Sequence, residues 1–92
     1  MLLLVPEAIV ARYYLQLRDG TDQLLDPDGI EYADLDALKR KVLIAVRELI
    51  SEDVKGGGVI DLRFRIDAED REGVIVYTLG FAEALNIIPD ND

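Results

Sequence analysis

Residues 34–58 carry the apolar spacing that most constrains the fold. From Leu35 onward, apolar side chains recur at Leu38, Val42, Ala45, Val46 and Leu49, one stripe at about 100° per residue. Leu43, Ile50 and Val54 widen the stripe on one side, while Lys39, Arg40, Lys41, Arg47 and Glu48 cover much of the remainder. Asp34 has the short acceptor side chain that suits an N-cap, and Asp36 lies in the first turn, where the helix dipole favours negative charge. Gly56-Gly57-Gly58 stops the periodicity. One helix is therefore expected, and it needs an apolar surface to lie on. Ile44 is its misfit, since it falls roughly opposite the stripe.

The flanking segments supply that surface with a different period. Tyr13-Tyr14-Leu15-Gln16-Leu17-Arg18 alternates, with Tyr13, Leu15 and Leu17 on one face, as in a half-buried strand. Asp19-Gly20 has turn chemistry, a short return strand is expected around residues 23–25, and Asp26-Pro27-Asp28-Gly29 ends it. After the helix, residues 59–67 alternate Ile60, Leu62, Phe64 and Ile66 with Asp61, Arg63, Arg65 and Asp67, so one face should be buried and the other solvated. A polar hairpin loop is expected over residues 67–73. Val74-Ile75-Val76-Tyr77-Thr78-Leu79 follows, apolar on both faces as a central strand would be. Residues 81–88 suit a short terminal turn or helix.

The expected fold is α+β, in the order β-β-α-β-β, with one antiparallel-rich four-stranded sheet and a single main helix on one face. Two strand orders stay open. Numbered by sequence, 2-1-3-4 makes the sheet fully antiparallel, and 2-1-4-3 puts the fourth strand in the middle. The expected organisation is an apolar N-terminal extension over residues 1–10, one domain over residues 11–88 and an acidic tail over residues 89–92. The extension could be an added strand or arm that seals a dimer, or translation could begin naturally at Val10. Pro6 and Glu7 interrupt its apolar run, so no export signal and no membrane span are expected; the cytoplasm is the default compartment.

Composition removes many chemistries. The chain has no cysteine and no histidine, and its single serine, Ser51, falls near the expected helix end. Disulfides, thiolate metal sites and Ser-His or Cys-His nucleophiles cannot be assembled. Ten basic against 19 acidic residues give a net charge of -9, a field that repels nucleic acid and anionic membrane alike.

The acidic clusters have structural duties. Asp67-Ala68-Glu69-Asp70-Arg71-Glu72-Gly73 fails the calcium-loop pattern, because Arg71, Glu72 and Thr78 stand at loop positions 5, 6 and 12. Asp26, Asp28, Glu31, Asp34 and Asp36 read as turn, loop and cap residues. Gly56-Gly57-Gly58 follows a helix and lacks the lysine of a phosphate loop. Tyr13 and Tyr14 point to opposite faces and make no stacking platform. No catalytic residue, metal ligand or cofactor is expected.

The order of motifs resembles a family of short bacterial proteins catalogued only as a domain of unknown function. The resemblance rests on Tyr13-Tyr14-Leu15-Gln16-Leu17-Arg18-Asp19-Gly20, Leu25-Asp26-Pro27-Asp28-Gly29-Ile30-Glu31, Ala45-Val46-Arg47-Glu48-Leu49, Phe64-Arg65-Ile66-Asp67 and Phe81-Ala82-Glu83-Ala84. It implies a compact α+β fold and brings no activity with it. The functional expectation is a non-catalytic interaction or accessory domain, homodimeric, with Ile44, Val74, Val76, Leu3 and Val5 as its interaction surface. The alternatives are an acidic regulator of a basic protein and a small carboxylate-based hydrolase.

Overall fold

The computed structural model describes residues 11–18 and 22–90. Strand β1 (Ala11–Arg18) opens the fold, followed by β2 (Gln23–Leu24), β3 (Ile30–Tyr32), helix α1 (Leu35–Gly56), β4 (Arg65–Glu69) and β5 (Ile75–Gly80), with a closing 3-10 turn at Ala82–Ala84. The architecture is α+β as expected, with five strands rather than four among the described residues. The strand order is β2-β1-β4-β5, all neighbours antiparallel, and β3 also pairs with β1. This is the first of the two orders left open, and it puts the last strand at an edge. The Asp19-Gly20 turn and residues 1–10 lie outside the described residues.

The additional strand arises from the acidic turn. β2 pairs with Gln16 and Leu17, whereas β3 pairs with Ala11, Arg12 and Tyr13 along the same edge of β1. The Asp26-Pro27-Asp28-Gly29 turn lies between them, closed by the Gly29 N–H donating to the Asp26 carbonyl at 3.0 Å. Gly29 has φ 71°, and a Cβ there would lie 2.7 Å from Tyr14 Cε2 and 2.8 Å from Arg12 Cγ. Only glycine meets both demands. Arg12 holds the turn from across the strand, donating to the carbonyls of Asp28 and Gly29 and to Glu31 Oε1 at 2.8 Å.

Helix α1 begins where its cap chemistry directs. The Asp34 carboxylate accepts from the Ala37 N–H at 2.7 Å. At the other end the Gly58 N–H donates to the Asp53 carbonyl at 3.0 Å, with Gly58 at φ 77°. Leu38, Val42, Val46 and Ile50 are buried against Leu15 of β1, Ile66 and Ala68 of β4 and Leu79 of β5, with Phe81 and Ala84 closing the core. Burying each of the larger apolar side chains contributes about 1.5–3 kcal/mol. Val54, expected to widen the buried stripe, is instead exposed.

Two expectations after the helix are corrected. The strand expected from residue 59 starts only at Arg65, because Asp61 offers the backbone a competing partner. Its carboxylate accepts from the Arg63 N–H at 2.9 Å and from the Arg63 guanidinium, and the Phe64 N–H donates to its carbonyl. The resulting turn leaves Val59 and Leu62 exposed. The hairpin loop is likewise shorter than expected: β4 continues to Glu69, and Asp70 closes the loop by accepting from the Glu72 and Val74 N–H groups.

Candidate functional site

Three features merit comparison as sites: a charged row on the open face of the sheet, two surface cavities and the β5 edge. The charged row stands opposite the helix, where register aligns Gln16 of β1, Asp67 of β4 and Thr78 of β5. Asp67 was expected to be solvated, yet it is only 1% exposed. Its neighbours cover it. Thr78 Oγ1 and Arg65 Nε donate to Asp67 Oδ1 at 2.8 and 3.2 Å, and Arg18 Nε lies 3.4 Å from Oδ2. Arg18 also donates to Glu69 Oε2 at 2.7 Å and pairs with Asp22. The hydrogen bond to Glu69 is the main cause that raises the Arg18 pKa above its ordinary value. Gln16 completes the row by donating to Glu69 Oε1. Each carboxylate is met by a guanidinium, which ties three strands together and leaves no open base beside a nucleophile.

The cavities differ in lining. One, of about 310 Å³, lies where the start of β1 meets the β4–β5 loop, between Arg12, Glu31, Asp70 and Arg71. The other, of about 370 Å³, runs between β1, the turn at Asp26 and the helix. Its apolar wall is Leu15, Leu25, Ala45 and Leu49, and its charged rim is Asp26, Glu48, Glu52 and Lys41. Nearby, burial and then the Asp26 charge push the Tyr32 hydroxyl up from its ordinary pKa of 10. Among the described residues, no group of three or more acidic side chains converges as a metal-binding set. The acidic cluster before the helix is dispersed: Asp34 caps α1 and Glu31 pairs with Arg12.

The third feature is the edge of the sheet. Among the described residues, β5 pairs with β4 alone. Val74, Ile75 and Val76 are 54%, 51% and 38% exposed at its start. No charged residue occurs from position 74 to 80. Val74 and Val76, both expected at an interaction surface, are thus brought together there. Ile44 is not: it is 51% exposed, about 200° around the helix from the buried Val42, on the face turned away from the sheet. Leu3 and Val5 lie outside the described residues. Ile75 joins the patch because the pairing shifts register between Ala68 and Glu69, setting Ile75 opposite Glu69. The uninterrupted Val-Ile-Val run was its signal in sequence.

The family described as Domain of unknown function (DUF6894) matches residues 12–82. The chain belongs to the DUF6894 family. The match runs from the second residue of β1 into the closing 3-10 turn, so among the described residues it takes in the helix and, but for Ala11, the five strands. No curated protein and no solved structure matches the chain. Among the described residues, no helix is long and apolar enough to cross a membrane.

Proposed function

We propose that this DUF6894 domain is a non-catalytic interaction module that works as a homodimer. The observation that carries the reading is the β5 edge, apolar, exposed and without charge. Soluble proteins usually guard a free strand edge with lysine, proline or a covering loop. Residues 74–80 have no lysine and no proline. The absence of histidine and cysteine and the paired state of Asp67 and Glu69 support a non-catalytic role.

Light scattering tests it. The wild-type chain is expected at twice 10.3 kDa, and Val76→Lys at the monomer mass. Ile44→Glu tests the helix face in the same way. Identical monomer masses for wild type and both variants would defeat the proposal.

The rim of Asp26, Glu48 and Glu52 around an apolar wall favours a second reading, an acidic regulator that holds a basic partner. That association would weaken steeply with salt, whereas apolar edge pairing would not.

A further inference from the structure

We infer that the groove between β1 and α1 docks a basic, amphipathic segment of a partner protein. The segment seats a large apolar side chain in the groove and sets lysines or arginines against its rim. The inference rests on the acidic-regulator reading and adds the place and the chemistry of the contact.

Register builds the floor. The Leu25 N–H donates to the Leu15 carbonyl at 2.9 Å, continuing the pairing of Gln16 with Leu24. Residues directly opposed in a sheet share a face, so Leu25 lies beside Leu15 on the side of the helix. The helix supplies the wall with Lys41, Ala45 and Leu49, a row at four-residue spacing. Ala45 stands in the middle of that row, and its single methyl leaves a depression between two longer side chains. The volume of about 370 Å³ is at the lower end of the roughly 300–1,000 Å³ of ligand pockets. It suits an inserted side chain.

The rim decides the sign of the occupant. Asp26 comes from the strand side, and Glu48 and Glu52, one turn apart, come from the helix. Among the described residues none of these three carboxylates has an ion pair. Lys41 is the one cation lining the groove with them. Nor do the three converge as a metal-binding set. Spread around an apolar floor, they match cations carried on separate side chains of one segment, whose aliphatic stems cover apolar surface. An acidic partner, or a second copy of the chain at -9, meets repulsion here.

The chain has no tryptophan, so a tryptophan in the probe reports binding without background. The probe is an end-blocked Lys-Arg-Trp-Leu-Arg-Lys peptide, read by fluorescence anisotropy as full-length protein is added at low salt. Anisotropy is expected to rise and saturate, whereas an end-blocked Glu-Asp-Trp-Leu-Asp-Glu peptide should give no change. The pair Glu48→Lys and Glu52→Lys, exposed on the helix, should weaken binding about tenfold, and Lys41→Glu should strengthen it. Ala45→Phe fills the depression and should weaken binding as well.

Because Ala45→Phe also alters packing, amide shifts of nitrogen-labelled wild type provide a second arm. The Leu25, Ala45 and Leu49 amides should move when the basic peptide is added. Binding that leaves those amides in place, or that a folded Ala45→Phe chain retains in full, would overturn the groove and keep the acidic-regulator reading. Equal binding of the acidic peptide would overturn the charge selection and the inference with it. Groove amides that move on concentrating the protein alone would assign the groove to a second copy, against the inference. No binding of the basic peptide at low salt would overturn both inference and reading.

Discussion

Thr78 Oγ1 donates a 2.8 Å hydrogen bond to Asp67 Oδ1 across the β4–β5 pair, joining the outermost strand to the most deeply buried charge in the described structure. Asp67 is held from both sides, by Arg18 of β1 and by Thr78 of β5. Removing the carboxylate leaves two arginines facing each other across β1 and β4 with their shared counter-charge gone. Asp67→Ala is expected to lower stability by about 2–3 kcal/mol, and Thr78→Val by about 1 kcal/mol. The arginines keep partial access to water, which holds the first figure below that of a fully buried pair. Urea denaturation of both single variants and the double variant measures the coupling; additive costs would show that the two groups do not act together.

Gly29→Ala should cost about 1–3 kcal/mol, because it combines a left-handed backbone with a clash against Tyr14 and Arg12. Gly73 has a similar φ of 81°, yet nothing lies within 4 Å of a Cβ placed there. Gly73→Ala therefore isolates the backbone component, at about 1 kcal/mol. Thermal melts of the pair separate conformational strain from steric conflict; equal losses would mean that Tyr14 and Arg12 simply move aside.

The hydrogen bonds from Arg63 hold the Asp61 carboxyl at about 2, down from 3.8. A pKa lowered on folding stabilises the folded state above the unfolded value, and that contribution is lost as pH falls toward 2. Asp61→Asn removes the titrating group. The wild type should therefore lose more stability than the variant between pH 4 and pH 2, while their difference stays constant from pH 5 to 7. Denaturation midpoints across that range test the sign, and parallel profiles would refute it.

Asp34→Ala should destabilise the domain by about 1 kcal/mol, and Asp34→Ser by far less, because serine also accepts from the Ala37 N–H. Circular dichroism during urea titration distinguishes the two variants.

Much of this fold was legible in the order of the residues. Leu38, Val42, Val46 and Ile50 meet the sheet because a 3.6-residue period brings them to one face, and Asp34 caps the helix because a short carboxylate reaches the first free N–H groups. The alternation of β1 was equally plain. What stayed hidden depends on partners distant in the chain or on local competition. Asp67 looks solvated in an alternating strand, and only the arrival of Arg18 and Thr78 from other strands allows its burial. The Asp61 side chain bonds its own backbone and delays β4, a choice that apolar periodicity does not reveal. β3 is three residues long and directly follows a turn, too short for any period to emerge. Of the candidate surface, Val74 and Val76 could be seen as apolar, but their place at an edge followed only from the pairing of β1 with β4.

That pairing has a consequence for how the chain reaches its shape. Gln16 and Glu69 touch across 53 residues of sequence, so the two segments on either side of α1 each contribute half of one sheet. The β4–β5 hairpin closes locally, but joining it to β1 requires closing a loop that contains the entire helix. Gly56, Gly57 and Gly58 have nothing within 4 Å of their missing side chains, which makes this stretch a natural place to divide the chain. Two fragments cut there would each present an unfinished sheet, and the surface most complementary to each is the other fragment.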